Sequence, residues 1–263
     1  MKVLIKGAGD IATGIALRLW RSHIRVVMTD LPQPTAIRRM VCFSQAIVLG
    51  RATVEDVTAV HIHTPEEARS AWEKDCIPVL ADPECLCREQ LRPDALVDAI
   101  LAKRNLGTRI TDAPVVIGVG PGFCAGKDCH AVVETMRGHT LGRVILEGEP
   151  IPNTNIPGLI GGFAGERVLR APADGVFRQM LSIGTVVEAG DIAGTVNGEP
   201  MRCTIGGVLR GILADGTPVR KGMKSGDVDP RYQVEYCYQA SDKALAVGGG
   251  VLEAVLALSG ALQ

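Results

Sequence analysis

The chain has 263 residues, 46% hydrophobic and 22% charged, with 28 Lys and Arg against 29 Asp and Glu, for a formal net charge of −1. Such a composition suits a soluble globular protein with room for one large domain or two smaller ones, and lacks the basic excess that a nucleic-acid backbone or an anionic membrane calls for. Aromatic residues make up 3%, too few for a base-stacking platform, so neither nucleic acid nor membrane is expected as a partner.

The apolar run Val3–Ile5 follows Met1 and Lys2 directly, with no charged-then-apolar leader, and no apolar run approaches the length of a membrane span. A cytoplasmic protein is expected, with its eight cysteines mostly reduced. None forms a C-x-x-C pair, so a structural zinc knuckle is not indicated; Cys85-x-Cys87 could bind a soft metal or transfer sulfur or selenium, with incidental thiols the plainer reading.

"KVLIKG" reads as a strand, "DIATGIALRLWRSH" as an amphipathic helix, and "IRVVMTD" as a second strand ending in Asp30. The turn between them, Gly7-Ala8-Gly9-Asp10-Ile11-Ala12, has the spacing that lets backbone N–H groups approach a pyrophosphate at a helix N-terminus. Asp30 stands where a ribose-binding acid is expected. A sharp turn without ligand is the plainer alternative.

"LPQPTAIRRM" opens a proline-containing connection and a short helix, and residues 46–62 read as a hairpin insertion. Thr64, Pro65 and Glu67 form a capping-box signature before the helix "EEARSAWEKD". "IPVLAD", "ALVDAIL" and "APVVIGVG" read as buried strands. The loop "GPGFCAGKD" should then lead into a helix, "CHAVVETMRG", and a strand, "GRVILEG". The alternation predicts a Rossmann-like, mostly parallel α/β domain over residues 1–150.

In the second glycine loop, Gly120, Gly122 and Gly126 leave main chain uncovered and Lys127 adds charge; with the first turn it would grip a phosphorylated ligand at one sheet edge. A tight turn closed by Asp128 is the alternative. Cys124, ahead of the expected helix, is the candidate nucleophile or soft-atom acceptor. Cys129-His130 and Glu134 would share a helix face, Cys85-x-Cys87 reads as exposed, and His61 and His63 should share one face of the hairpin.

After "EPIPNTNIPGLIGGFAGE", a linker rich in Pro, Gly and Asn, a repeat begins. Residues 174–190 align with 206–222 at an offset of 32 without a gap, with Gly175/Gly207, Val176/Val208, Arg178/Arg210, Gly184/Gly216 and Gly190/Gly222 among the identities. This resembles the biotinyl/lipoyl-type barrel-sandwich, a small β-domain of two quasi-symmetric halves, placed here over residues 166–232. In carrier members of that fold a hairpin lysine bears the cofactor. "EPMRC" puts Arg202 there, and a guanidinium is a poor acyl acceptor, so neither biotin nor lipoate is expected. Asp227-Val228-Asp229-Pro230-Arg231 should close the domain as a charge-paired turn, and residues 233–263 should form a strand and helix packed on one of the domains.

The stretches "VLIKGAGDIATGIALRL", "IPVLADPE", "ALVDAILAKRNLGT", "APVVIGVGPGFCAGKDCHAVVETMRGHTLGRVI" and "GVLRGILADGTPVRKGMKSGDVDPR" together resemble the YqeB-like family of selenium-dependent molybdenum hydroxylase accessory proteins. The resemblance implies a role in maturing those hydroxylases, with a client hydroxylase and other maturation proteins as partners and molybdenum cofactor or a dinucleotide as ligand. It transfers no catalytic residue. Two other readings remain: an NAD(P)-dependent oxidoreductase, suggested by Gly7 to Asp30 but lacking a Tyr-x-x-x-Lys proton donor, and a non-catalytic scaffold or docking protein.

Overall fold

The computed structural model describes residues 1–260. They form two compact units. The first comprises Met1–Pro34, Cys42–Thr154 and the chain from Ala240 onward; the second comprises Thr35–Val41 and Asn155–Gln239.

In the first unit the chain runs β1 (Lys2–Lys6), α1 (Asp10–Arg21), β2 (Arg25–Asp30), α2 (Gln45–Leu49), β3 (Arg51–Val54), β4 (Val57–His61), α3 (Ala68–Glu73), β5 (Cys76–Ala81), α4 (Arg88–Leu91), β6 (Ala95–Asp98), β7 (Val115–Val119), β8 (Ala131–Val133), β9 (Val144–Ile145) and, at the end of the chain, α5 (Asp242–Ser259). One nine-stranded sheet results, in the order β3-β4-β5-β2-β1-β6-β7-β8-β9. From β4 to β8 every pair is parallel; β3 and β9 close the edges antiparallel. The expected mostly parallel α/β sheet is therefore present. Its central strands are continuous apolar runs because parallel strands are buried on both faces. The chain passes from β1 to β2 on one side, then returns to β6 on the other, so the strand order reverses at β1.

The hairpin falls at β3 and β4, while residues 45–49 are helical. The capping box is formed: Glu67 Oε1 accepts the Thr64 N–H at 3.2 Å, and the first turn after Pro65 is 3-10 before α3 continues. The helix expected over "CHAVVETMRG" is a strand instead, β8. Ala131, Val132 and Val133 are all buried beside β7, where a β-branched pair fits the pleat better than a helix. α5 packs on α1 through small residues: a Cβ on Gly14 would lie 2.6 Å from the Ala244 Cβ, and one on Gly248 2.7 Å from the Gly14 carbonyl.

The second unit contains β10 (Val168–Arg170), β11 (Gly175–Gln179), β12 (Val186–Val187), β13 (Ile192–Val196), β14 (Glu199–Arg202), β15 (Gly207–Ile212), β16 (Pro218–Val219) and β17 (Lys224–Asp229). They form two four-stranded sheets, β10-β17-β15-β12 and β14-β13-β11-β16, antiparallel at every pairing. Adding 32 to the first residue of β11, β12 or β13 gives the first residue of β15, β16 or β17. Exchanging the halves in this way, with β10 matched to β14, converts one sheet order into the other. The sequence repeat is thus a structural two-fold in which each half lends its short strand, β12 or β16, to the other half's sheet. Phe177, its mate Leu209, Val196 and Val228 fill the core between the sheets.

Three expectations about this part of the chain are corrected. The turn between β13 and β14 is Asn197-Gly198, both at positive φ, so Arg202 ends a strand and does not sit at a hairpin tip. Asp227 and Asp229 lie within β17 rather than in a turn, although their charge pairing is present. Segments 35–41 and 233–239 belong to this β-unit: the Ile37 carbonyl accepts the Ile212 N–H at 2.8 Å, and residues 234–237 form a 3-10 turn against β15 where a strand was expected.

Candidate functional site

In open parallel sheets, ligands bind beyond the carboxyl ends of the strands where the strand order reverses. Here that place is the end of β1, and the first glycine turn occupies it. Gly7 has φ +106°, and a Cβ there would lie 3.0 Å from the Ala99 main chain, so only glycine fits. Ala12 is buried at the helix–sheet contact. Gly9 is half-buried, and a Cβ on it would meet nothing within 4 Å. The space beyond its Cα is therefore open at the N-terminus of the 12-residue helix α1, while its carbonyl accepts the Thr13 N–H at 2.8 Å.

Asp30 closes β2 beside this turn. Its Oδ2 accepts the Ala8 N–H at 2.8 Å and its Oδ1 the Leu31 N–H at 2.7 Å. Burial raises its pKa, with these two N–H groups pulling the other way. Each oxygen keeps a lone pair for a further donor such as a sugar hydroxyl. Asp10 introduces a second carboxylate: its Oδ1 accepts the Ile11 N–H at 2.8 Å, so part of the helix terminus is already capped from within.

Sequence reasoning missed three residues at the same edge. Lys6, the last residue of β1, is buried, with Nζ 4.0 Å from Asp98 Oδ2 at the end of β6. Thr108 Oγ1 donates to that same oxygen at 2.6 Å. Burial raises the Asp98 pKa, opposed by Thr108, the Ile100 N–H and Lys6. The available signal was polar residues ending two otherwise apolar strands, "VLIK" and "ALVD".

The second glycine loop lies at the same edge, two strands from β1, but its main chain is already engaged. The N–H groups of Gly120, Ala125, Gly126, Lys127 and Asp128 all donate to carbonyls of the chain, and that of Cys124 to Asp128 Oδ2. A Cβ on Gly122 would lie 2.5 Å from the Arg104 main chain, and one on Gly120 2.7 Å from Thr135 Oγ1. The segment following β6 therefore fills the space over Gly7 and Gly122, and Thr135, after β8, with Leu101 fills that over Gly120. The expected joint grip by two loops is corrected: these glycines serve close packing and the tight-turn alternative holds, with Gly126 alone open beyond its Cα.

Cys124 precedes no helix, which removes the helix-dipole argument for its activation. It is nonetheless half-exposed, whereas the other seven cysteines are buried. Burial pushes the Cys129 thiol up to about 11. Cys85 and Cys87, expected to be exposed, lie in the apolar core; contact with the Cys85 thiol, then burial, raises the Cys87 pKa. His130 Nδ1 accepts the Val116 N–H and Glu134 accepts three backbone N–H groups, so both are committed to main chain. His61 and His63 do share a face, their ring centroids 4.5 Å apart, yet among the described residues no group of three or more His, Cys, Asp or Glu could hold a metal ion. No helix of the described residues is long and apolar enough to cross a membrane.

No protein-family model matches the chain. It is 48% identical over 256 residues to a protein of Escherichia coli (strain K12) called Uncharacterized protein YqeB, a match covering 97% of this chain and 47% of that protein. The chain thus spans about half the length of this curated relative. Two solved structures show looser likeness. One is the product-bound Ectoine utilization protein EutE (DoeB) from Ruegeria pomeroyi: 14% identity, TM-score 0.25, covering 77% of this chain and 57% of that one. The other is an aspartoacylase family protein from Mesorhizobium loti: 11% identity, TM-score 0.27, covering 86% and 84%. The identity to YqeB, sustained across nearly the whole of this chain, supports a YqeB-like family for it.

Proposed function

We propose that this chain is an accessory protein for maturation of selenium-dependent molybdenum hydroxylases, and that its Rossmann-like unit holds a phosphorylated cofactor, molybdopterin-type or nucleotide, at the first glycine turn. The observation carrying the ligand reading is Gly9: a glycine with open space beyond its Cα, at a helix N-terminus, where the strand order reverses. The maturation role rests on the family resemblance of the quoted stretches; the relative's name supplies no role.

In this reading a phosphate oxygen approaches Gly9 and the first turn of α1, and Asp30 accepts a hydroxyl on the ligand's sugar or pterin side. Asp10 repels a second negative charge and so disfavours highly charged ligands. Lys6 balances Asp98 beneath the site. A bound molybdopterin-type group would supply the metal centre that the client hydroxylase uses. Cys124, the half-exposed thiol, is the residue proposed to carry selenium if the chain handles it. The β-unit, read as a barrel-sandwich without a carrier lysine, is the element proposed to dock other proteins.

The position of Asp30 at the end of β2 also favours a second reading, an NAD(P)-dependent oxidoreductase. The test is a reconstituted maturation assay. A client hydroxylase made without this chain should gain activity and selenium when the chain is added, and gain less with Cys124→Ser. Full activation without the chain would overturn the maturation role, and hydride transfer from NAD(P)H would favour the second reading.

A further inference from the structure

The internal two-fold makes the two sheets of the β-unit comparable residue by residue, and their outer faces differ. On β15, Val208 is 0% exposed and Arg210 is buried; on β11 their mates differ, with Val176 42% exposed and Arg178 open to solvent. Met180, just past the end of β11, is 62% exposed. Beside Arg178 the bare face continues through Thr195 and Pro200, and Val176 pairs with the exposed Pro218.

What covers the buried face is visible within the unit. Ile37 meets the Ile212 N–H, residues 234–237 pack on β15, Arg167 pairs with Asp227, and Arg231 pairs with Asp229 at 2.6 Å. The covering segments thus bring arginines to a face that presents Asp227 and Asp229. At the mates of those two acids the other face has Thr195 and Asn197, both uncharged. Its charges are Arg178, paired only with the exposed Asp215 at 3.0 Å, and Arg202, which follows Pro200 at the alternating position of β14; Glu199 falls on the opposite alternation. The bare sheet thus keeps the arginine of the covered one, Arg178 for Arg210, and lacks its two acids, so its cationic charge is left for acids from outside the sheet.

We propose that the outer face of the β14-β13-β11-β16 sheet is the docking surface for an extended segment of a partner polypeptide with alternating aliphatic and acidic side chains. The aliphatic groups lie over Val176 and Met180, and a carboxylate meets Arg178. This deepens the reading of the β-unit as a docking element and is independent of any ligand at Gly9. A fluorescein-labelled decapeptide of alternating valine and glutamate is titrated into the full chain and followed by anisotropy, beside the same peptide with lysine for glutamate. The acidic peptide should bind at least about tenfold more tightly. Arg178→Glu, and separately Thr195→Asp, which restores the acid of the other half beside Arg178, should each weaken it about tenfold with unchanged melting temperature. Equal affinity for the two peptides, or acidic binding indifferent to both variants, would overturn the proposal. So would self-association of the chain in sedimentation that Met180→Lys abolishes, since the occupant would then be a second copy.

Discussion

The Arg202 guanidinium donates to the Gly190 carbonyl at 2.8 Å, and the same bond recurs at the two-fold mates, from Arg170, 32 residues earlier, to Gly222, 32 residues later, at 3.0 Å. An arginine occupying a lost carrier position would have no reason to be duplicated by the internal two-fold. Both arginines instead tie the end of an edge strand to a glycine turn of the same half-to-half geometry. Arg202→Lys should therefore not acquire biotin or lipoate when produced with the corresponding ligases, as read by intact mass. It should lose about 0.5–1 kcal/mol of stability in urea, the net worth of one hydrogen bond. Attachment of either cofactor would show that Arg202 does lie at a carrier tip.

The charge cluster on the covered face of the β-unit makes an acid-dependent contribution. Burial would raise the Asp229 pKa, but Arg231 and Arg210 pull it below the ordinary value. A carboxylate depressed in the folded state stabilises fully above its unfolded value of about 3.9, and this is lost as pH falls through the folded pKa. Asp229→Asn should thus flatten the acid limb of the stability curve below about pH 4 and cost stability at pH 7. Arg210→Met should cost more, about 3–5 kcal/mol, because it leaves Asp227 and Asp229 buried with fewer partners. Urea melts from pH 3 to pH 7 measure both.

Asp30 behaves oppositely. Its raised pKa means that ionisation costs folded-state free energy as pH rises from about 4 through the folded value, and the cost is fully present above it. Asp30→Asn should match or exceed the parent's melting temperature at pH 7 while losing affinity for a nucleotide ligand. A fall in stability comparable to a lost core contact would show that the Ala8 and Leu31 N–H bonds need the full charge.

Two glycines of the helices separate packing from propensity. Gly14→Ala gains helix propensity but places its Cβ 2.6 Å from Ala244, so it should destabilise by about 1–3 kcal/mol. Gly249, in α5, has nothing within 4 Å of the place a methyl group would take, so Gly249→Ala should stabilise by about 0.5–1 kcal/mol. Calorimetric melts of the pair give opposite signs if α1 and α5 meet as described.

The first glycine turn, the capping box at Thr64 and the 32-residue repeat were legible because each is a local pattern with one geometric solution. The repeat even carried the strand boundaries, since both halves fold alike. Where the sequence misled, tertiary context decided. Residues 129–138 have neither a clear helical stripe nor a clean alternation, and β7 recruits Ala131–Val133 as a strand. Cys85-x-Cys87 sits among charged neighbours yet turns inward, with Cys85 at φ +57°. The second loop's glycines look like a cradle in sequence; only the position of Arg104 and Thr135 reveals that they accommodate the chain itself. The return of segment 35–41 to the β-unit has no local signature at all.

The central claim is that the main chain at Gly9 receives a phosphorylated small molecule. Gly9 has an ordinary φ of −71° and open space beyond its Cα, so Gly9→Val should fold while its side chain obstructs that approach. The deciding measurement is mass spectrometry of the small molecules released on denaturing the parent and Gly9→Val proteins purified from the same host. A phosphorylated pterin or nucleotide released by the parent and absent from the variant is the predicted result; equal amounts from both, or none from the parent, would contradict it.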